Sequence, residues 1–480
     1  RRIQPVHPEG VELRFNWNAA LNVDPHDSTT IYLGSQFVHR SRDGGLSWEI
    51  ISPDLTTDDQ EKQQQDESGG LTLDATGAEN HTTILSIAPS HLEEGLIWVS
   101  TDDGNVQVTR DDGGSWRNVG EAIPDVPPNT WAPHVEPSRH DPATAYVVFD
   151  DHRRGNWTPY AFRTEDYGES WTRLPTEDVR GFVHVMEEDP AEPNLLFLGT
   201  EFGLYVSLDR GDSWMAWRHG VPAVPVRDLV VHPRDHDLVV GTHGRAVLIL
   251  DDIRPLRALT RDPGIVEEPL HLFSPPPGRH TEVAERIGYR STGHAMFFGE
   301  NRAFGALLSL WVGEGLEGRT AKLEVRDEAG EIVRSFTRPV ERGLNRFTWD
   351  LRMDSPAGNG GRYGPSGPRV LPGTYRLRVS LGEEVSEATL DVRSDPRMAI
   401  ARRDRLAKIQ ALNQAGGWFA LAQEAEERLE SAEDAVDQVL ETLASSEGGA
   451  DQELREGGEA LRDRIQETLV TLFTGPECQG

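Results

Sequence analysis

An acidic octapeptide occurs four times in the first half of this sequence. The copies are SRDGGLSW at 41–48, TRDDGGSW at 109–116, TEDYGESW at 164–171 and SLDRGDSW at 207–214. A carboxylate at a fixed position could act as a general acid or base, or it could bind calcium. Catalysis needs such a group once or twice in a site, however, and not in every repeat. We therefore interpret the octapeptide as a structural turn.

The residue types that the four octapeptides share can each be explained by the geometry of a turn. The aspartates can accept hydrogen bonds from turn N–H groups, and they are Asp43, Asp111, Asp166 and Asp209. The glycines allow backbone conformations that are costly for other residues, and they are Gly45, Gly113, Gly168 and Gly211. The tryptophans are predicted to bury a large ring between sheets, and they are Trp48, Trp116, Trp171 and Trp214.

The octapeptide belongs to a longer repeat of short apolar strands. A first strand ends at a proline in five units, 43 to 64 residues apart, at Pro25, Pro89, Pro137, Pro190 and Pro233. A second and a third strand follow, then the octapeptide, then a fourth strand that opens with its Trp. Four short strands per unit are typical of a β-propeller blade. The sequence predicts a mainly β fold with about five four-stranded blades over residues 1–262, incomplete at the N-terminal end.

The octapeptide resembles the Asp-box, or BNR repeat, of sialidases, xyloglucanases and sortilin-like propellers. Wider stretches, such as AYVVFDDHRRGNWTPYAFRTEDYGESW at 145–171 and DLVVGTHGRAVLILDD at 237–252, resemble a bacterial group of glycosyl-hydrolase-like and sortilin-domain-like proteins. The resemblance implies a longer parent protein, extracellular or periplasmic, whose further N-terminal blades would be partners of these. The opening RRIQPVHPEG shows no signal-peptide pattern. The resemblance also implies that ligands bind on the face opposite the Asp-boxes.

The turns between second and third strands are expected on that ligand face. Matching positions in the five units carry Gln36, Asp102, Asp150, Glu201 and His243. Neighbouring candidates for ligand binding are Glu79, Asp103, His152, Arg154, Trp157 and Arg245. Such a mixture suits carbohydrate, because carboxylates and Arg bind hydroxyl groups and Trp stacks on sugar rings. Asp102, Asp150 and Glu201 are also candidates for a catalytic carboxylate pair. Alternatively, the face is polar only because it is solvated.

The amino-acid composition excludes some classes of binding partner and of site. The chain has 480 residues, with 48 basic and 80 acidic side chains and a net charge of -32, which disfavours nucleic acid as a partner. Cys478 is the single cysteine, so neither a disulfide nor a thiolate metal site is predicted. No apolar run has the length of a membrane span. No metal site and no cofactor are predicted; calcium in the Asp-rich turns stays open, although no EF-hand loop is present.

The repeat ends near residue 262. Residues 263–295, which include LFSPPPGRH, are predicted to form a linker. Alternating strands over 296–396 predict a β-sandwich of immunoglobulin or fibronectin type. Residues 397–480 have apolar side chains at helical spacing on both sides of SSEGGAD, which predicts an α-helical hairpin.

Two functions remain open at this stage. The first is a secreted or cell-surface propeller that recognises a polysaccharide or a polypeptide on the face opposite the Asp-boxes. The alternative is a glycoside hydrolase, similar to the xyloglucanase or sialidase propellers, that uses carboxylates of the same face. No residue pair carries an enzyme-specific signature, so an enzymatic activity is left undecided and binding is favoured.

Overall fold

The computed structural model describes residues 4–64, 80–281, 302–356, 358, 367–444 and 452–473. The chain divides into two compact units, Arg1–Gly264 and Ile265–Gly480. Strands make up most of the regular structure of the first unit, whereas the second unit combines strands with two long helices. Within the described ranges, no helix is at once long and apolar enough to cross a membrane.

The first unit is built from small antiparallel sheets, each with its strands in sequence order. The first blade contains β1 (Leu21–Val23), β2 (Ile31–Gly34), β3 (Val38–Ser41) and β4 (Glu49–Ile50). The second contains β5 (Ile84–Pro89), β6 (Ile97–Thr101), β7 (Val106–Thr109) and β8 (Arg117–Asn118). The third contains β9 (Trp131–Pro137), β10 (Ala145–Asp150), β11 (Tyr160–Thr164) and β12 (Thr172–Arg173).

The fourth blade is complete, whereas the fifth has three strands. The fourth contains β13 (Val183–Glu188), β14 (Leu196–Thr200), β15 (Gly203–Ser207) and β16 (Met215–Trp217). The fifth contains β17 (Val226–Val231), β18 (Leu238–Thr242) and β19 (Val247–Leu250). The prediction of four strands in every unit is therefore wrong for the fifth. No octapeptide follows β19, and the chain enters the helix α1 (Arg254–Arg261) instead.

Consecutive blades meet through their first strands. Strand β5 contacts β1 and β9, and β13 contacts β9 and β17. Apolar side chains fill the space between neighbouring sheets: one core joins Trp98 of the second blade to Phe149 of the third, and another joins Val148 of the third to Leu198 of the fourth. This succession of small sheets confirms a mainly β fold with propeller blades.

Each octapeptide forms a turn closed on its own aspartate. In the first copy, Asp43 Oδ1 accepts the N–H of Ser47 at 2.8 Å, and Asp43 Oδ2 accepts the Ser47 hydroxyl at 2.7 Å. The Ser41 hydroxyl donates to Asp43 at 2.8 Å and accepts the N–H of Gly45. The N–H and the hydroxyl of Ser47 hold the pKa of Asp43 down at about 2. The same bonds recur at Asp111, Asp166 and Asp209, so these carboxylates are occupied by their own turns.

The glycine of the octapeptide marks a close approach between blades. Gly113 has φ +92°, and a Cβ built there would lie 2.5 Å from the carbonyl oxygen of Ile51 in the preceding blade. A Cβ at Gly168 would meet Val119, and one at Gly211 would meet Leu174, each just after the last strand of the blade before. Glycine is therefore required both by the turn and by the contact.

The tryptophans differ in burial, which corrects the prediction that all four are buried. Trp171 and Trp214 are 8% and 6% exposed. Trp48 and Trp116 are only half-buried. The Trp116 indole N–H donates to the carbonyl of Ile51 at 3.0 Å, which keeps that ring near the blade margin. Within the described chain, no blade precedes the one that carries Trp48.

Helix α1 is held to the fourth blade by a buried ion pair. The Arg257 guanidinium donates three hydrogen bonds to Asp189, at 2.8 to 2.9 Å. Both side chains are at most 5% exposed. Arg257 also donates to His236 Nδ1 at 2.9 Å. The helix therefore ends the first unit while remaining attached to it.

The second unit contains two sheets around one apolar core. One sheet is β20 (Leu270–Leu272), β22 (Ala306–Val312) and β25 (Gly343–Trp349). The other is β21 (Gly278–Arg279), β27 (Glu384–Arg393), β26 (Gly373–Leu381), β23 (Thr320–Arg326) and β24 (Ile332–Pro339). The Tyr375 hydroxyl donates to the Leu371 carbonyl at 2.7 Å, as in the tyrosine corner of immunoglobulin-like sandwiches. Membership of the immunoglobulin or fibronectin type stays a prediction.

The predicted linker over 263–295 needs a correction. Residues 270–272 and 278–279 form β20 and β21, because their backbones pair with β22 and β27. Residues 282–295 lie outside the described ranges. Beyond the sandwich, α2 (Arg402–Ala444) and α3 (Gln452–Phe473) contact each other, which confirms the helical hairpin. Single 3-10 turns occur at Gln60–Gln63, Gly120–Ala122, His152–Arg154 and Pro263–Glu267.

The burial difference among the tryptophans predicts unequal effects on stability. Trp171 lies edge-on to Trp98 with ring centroids 6.1 Å apart, so Trp171→Ala should lower the free energy of unfolding by about 3–5 kcal/mol. Trp48→Ala, at the half-buried equivalent position, should lower it by less than half as much. Urea unfolding of both variants tests this difference. Equal losses would show that octapeptide tryptophans do not stabilise the protein through burial between blades.

Candidate functional site

Topology places the candidate residues at one end of the blades. Because each blade is an antiparallel meander, the octapeptide turns lie at one end and the turns between second and third strands lie at the other. Gln36 follows β2, Asp102 follows β6, Asp150 ends β10, Glu201 follows β14 and His243 follows β18. These residues therefore share the end opposite the octapeptides.

Gln36 and Asp102 connect chain segments in the interior. Gln36 is 1% exposed; its amide oxygen accepts the N–H of Arg14, and its amide nitrogen donates to the Glu12 carbonyl, both at 2.9 Å. Asp102 is fully buried and accepts both the N–H and the hydroxyl of Thr83 at 2.8 Å. Burial raises the pKa of Asp102. Gln36 therefore holds the segment before β1 to the first blade, and Asp102 holds the start of β5 within the second blade.

Asp103 is engaged in the same way. It is 2% exposed and accepts the N–H and the hydroxyl of Thr57 at 2.7 and 2.8 Å. The Thr101 hydroxyl donates to its other oxygen. These bonds fasten the start of the acidic link after the first blade to the second blade. Glu79, at the end of that link, lies outside the described residues.

The enlarged turn of the third blade is held by two buried carboxylates. Asp150 is 4% exposed and accepts from His152 Nδ1 at 2.6 Å and from the His152 N–H at 3.0 Å. Arg153 lies 3.4 Å from the other oxygen of Asp150. Asp151 pairs with Arg154 at 2.5 Å, and Arg154 also donates to the Pro128 carbonyl at 2.8 Å. Arg154 and Asp150 therefore shape the turn.

Glu201 belongs to a hydrogen-bonded chain with a buried histidine. The His184 side chain is 3% exposed. Burial lowers its pKa to about 3, with the charge of Arg227 as the next cause, so the ring is neutral near pH 7. Arg227 donates to His184 Nδ1 at 3.2 Å, which leaves Nε2–H to donate to Glu201 at 3.0 Å. The order of donors, Arg227 to His184 to Glu201, fixes the ring and one carboxyl oxygen.

Aromatic rings cover the turns of the third and fourth blades. Trp157 stacks on Phe202, with ring centroids 6.0 Å apart and an interplanar angle of 10°. Phe182 contacts Trp157 edge-on at 5.3 Å and stacks on His152 at 4.3 Å. Trp157 is 51% and Phe202 is 44% exposed. We call these four residues, Trp157, Phe202, Phe182 and His152, the aromatic rim.

A cation lies over a further ring of the third blade. The Arg153 guanidinium is 3.3 Å from the ring centroid of Trp131, a cation–π contact. Burial lowers the pKa of Arg153, although the guanidinium remains charged at any physiological pH. In the sequence, Trp131 precedes the buried Asp150 and Trp157 follows it.

His243 and Arg245 of the fifth blade are exposed. The backbone N–H of His243 donates to the Pro225 carbonyl at 2.9 Å. Among the described residues, neither side chain has a hydrogen bond or an ion pair. Neither side chain is therefore held by the fold.

Sequence reasoning missed several residues of this end of the unit. Phe182 and Phe202 were not among the candidates, nor were Trp131, Arg153 and His184. Phe202 directly follows Glu201 and was available as a turn residue at a matched position. Phe182 lies in a link between blades, where no repeat pattern marks it. Only the packing of two blades brings these rings to Trp157.

Three first strands carry carboxyl groups with raised pKa: Glu136 on β9, Glu187 on β13 and Asp228 on β17. Glu187 on β13 is 4% exposed. Burial raises the pKa of Glu187 to about 7. The N–H of Val231, which donates to Glu187 at 3.1 Å, has the opposite effect and lowers that pKa. Burial and the charge of Glu187 raise the pKa of Glu136 on β9. These groups bind protons more tightly than ordinary carboxylates do.

Metal chemistry has little support from the side-chain arrangement. In the described part of the chain, no three His, Cys, Asp or Glu side chains are grouped so that they could hold a metal ion. The oxygens of Asp43 are taken by Ser41, Leu46 and Ser47. Calcium at the Asp-rich turns stays an untested alternative to the prediction of no metal.

Comparison with known proteins gives only distant similarities. No family model matches the chain. No curated protein matches it either. An ancestral GH74 enzyme is similar at 12% identity, over 80% of this chain and 47% of that one, with a TM-score of 0.35. This chain therefore spans about half the length of that enzyme.

Two further structures are similar at the same level. The GH74 xyloglucanase from Xanthomonas campestris is 17% identical over 76% of this chain and 57% of its own, with a TM-score of 0.34. YCF48 from Cyanidioschyzon merolae is 12% identical over 50% of this chain and 68% of its own, with a TM-score of 0.31. Similarity this low carries no information about the ligand or the activity of this protein.

The raised pKa of Glu187 predicts a pH-dependent effect of its removal. The folded state keeps a proton on Glu187 that the unfolded chain releases above its ordinary pKa of 4.5, so the associated stability is complete below about pH 4.5 and is lost as the pH rises through about 7. Glu187→Gln cannot ionise and keeps the acceptor for Val231. Its melting temperature relative to the wild type should therefore rise from pH 5 to pH 8.

An exposed glutamate provides the control for this measurement. Glu121→Gln, at an exposed position of the second blade, should show no such trend between pH 5 and pH 8. A constant difference between Glu187→Gln and the wild type across the range would mean that Glu187 titrates normally in the fold.

Proposed function

We propose that this protein is an Asp-box propeller of the BNR type that recognises a polysaccharide through the aromatic rim, without chemical conversion. The hydrogen-bonded octapeptide turns support the assignment to Asp-box propellers. The exposed, nearly parallel rings of Trp157 and Phe202 carry the functional proposal. In the parent protein, which we place outside the cell or in the periplasm, this end of the unit would face the ligand.

A polysaccharide suits the geometry of the rim. Sugar rings present flat C–H faces that pack on exposed aromatic rings, and ligand sites are lined mainly by hydrophobic and aromatic side chains with a few polar groups. Trp157 and Phe202 come from different blades and lie within 10° of parallel. Arg227 of the fifth blade, with a half-exposed side chain, adds donors for hydroxyl groups. A polypeptide ligand is the other possibility, and the test below separates the two.

The hydrolase alternative has weaker support from the carboxyl groups at this end. Asp102 is buried against Thr83, and Asp150 is closed by His152. Glu201 keeps one oxygen bound to His184 at 3.0 Å. A pair for glycoside hydrolysis must instead reach the glycosidic bond from two sides. Release of reducing sugar that is abolished by Glu201→Gln would favour the hydrolase.

Trp157→Ala tests the binding proposal directly. Loss of a central aromatic anchor typically costs about 2 kcal/mol, or roughly thirty-fold in Kd. We expect that loss in affinity electrophoresis with soluble plant and bacterial polysaccharides, for any polysaccharide that retards the wild type. The melting temperature should change little, because the Trp157 ring is half exposed.

Trp418→Ala is the matched control. Trp418 is 64% exposed on α2 in the second unit, so its removal should leave retardation unchanged. Equal retardation of wild type and Trp157→Ala would contradict recognition through the rim. If the protein binds peptides but no polysaccharide, the ligand of the rim is a polypeptide and not a polysaccharide.

A further inference from the structure

A cavity of about 510 Å³ lies next to the aromatic rim. It is formed by the turn and the last two strands of the fourth blade, together with the link to the fifth. Its principal side chains are those of Arg180, Phe202, Tyr205, Trp217 and Arg218. Phe202 belongs both to this cavity and to the stack with Trp157. The cavity and the rim are therefore continuous through one ring.

The charges that line this cavity are all positive. Among the described residues that line it, Arg180 and Arg218 are the only ionisable side chains besides the Tyr205 phenol, and none is a carboxylate. Arg180 lies over Phe202, 5.9 Å from the ring centroid. Within the described ranges, neither guanidinium is paired with a carboxylate.

The aromatic walls of the cavity are held in place. The Trp217 indole N–H donates to the His219 carbonyl at 2.8 Å, which fixes the plane of the ring. The Tyr205 hydroxyl accepts the N–H of Arg180 at 3.0 Å, and it is 5% exposed. That bond uses the oxygen as an acceptor, so the hydroxyl hydrogen can still donate. The cavity therefore offers two guanidinium groups, one hydroxyl donor and rigid rings.

We propose that this cavity binds the carboxylate of a uronic acid unit, so that the polysaccharide recognised at the rim is an acidic one. This inference rests on the proposed function and specifies its ligand. The carboxylate would lie between Arg180 and Arg218, since guanidinium groups bind carboxylates through paired N–H donors. The sugar ring would pack on Phe202 or Trp217, and the chain would continue over Trp157.

The shape of the site favours a sugar acid over an acidic peptide. One way to bind an extended peptide is to pair it with a free strand edge, but the edge strand of this blade, β16, has only three residues. The cavity is instead compact and walled by rings, and its volume lies in the range of small-molecule pockets. A six-membered ring with one carboxylate matches these features better than a run of flexible acidic side chains.

The net charge of -32 acts against any anionic polymer at long range. That repulsion is screened beyond about 8 Å at 0.15 M salt, whereas a direct guanidinium–carboxylate contact is not. Binding should therefore be measured at about 0.15 M NaCl or above. An affinity that falls only modestly with added salt is expected, because few charges make the contact.

Three probes and a pair of variants test the inference by titration calorimetry. The probes are an oligogalacturonate, its methyl ester, which keeps the sugar and removes the charge, and a neutral cello-oligosaccharide of the same length. We expect the oligogalacturonate to bind the wild type at least about tenfold more tightly than the other two. Arg180→Gln and Arg218→Gln should each lose about tenfold toward the oligogalacturonate and nothing toward its ester. Arg234→Gln, an arginine 80% exposed and paired with Asp235, is the control and should behave as the wild type.

The outcomes separate this inference from the proposed function. Suppose that the acid and its ester bind equally and that Trp157→Ala weakens both. Recognition of a polysaccharide at the rim would then stand, and the proposal of an acidic ligand would be wrong. Charge-selective binding that survives both arginine variants would overturn the cavity as its location. Binding of none of the three probes, with binding of an acidic peptide such as oligoglutamate, would overturn both proposals.

Discussion

The octapeptide aspartates of the first four blades determine how the blades of the first unit meet. The aspartate of each octapeptide gathers the N–H and hydroxyl groups of its own turn, so the turn cannot open without leaving a charged group unsatisfied. That geometry carries the following glycine to the end of the preceding blade, where Ile51, Val119 or Leu174 leaves no room for a Cβ. The rigid turn is thus also the contact between blades, and the aromatic rim at the other end depends on it, because Trp157 and Phe202 belong to different blades.

The repeat was readable because its residues serve local geometry. Asp, Gly and Trp at fixed spacing predict a turn and a strand without knowledge of the rest of the chain, and four complete blades followed. The fifth unit shows the limit of that reasoning: without an octapeptide after β19, no fourth strand forms. The helix that follows is anchored by the pairing of Arg257 with Asp189, a contact across 68 residues that no local pattern reveals. Likewise, the short segments at 270–272 and 278–279 become strands only through partners far along the chain.

The sequence predicted where the candidate residues lie better than it predicted what their side chains do. Turn residues such as Asp102, Asp150 and Gln36 lie at the expected end of the blades, yet their side chains point into the fold and are consumed by hydrogen bonds. A sequence shows that a turn is polar but not which way its polar groups face. Of the rings in the aromatic rim, Phe202 directly follows a predicted position, Glu201, whereas Phe182 lies in a link between blades. The turns between second and third strands thus bury their polar side chains and leave apolar rings exposed.

The three-stranded fifth sheet has a consequence for the protein in solution. Strand β19 ends that sheet, and Val247 and Ile249 on it are each 60% exposed. An edge strand with unpaired backbone groups and apolar side chains is a template for strand addition by other chains. Two features limit that hazard: β19 has only four residues, and the chain turns into α1 within a few residues of its end. Short edge strands are one of the ways in which proteins protect a sheet edge from pairing with other chains.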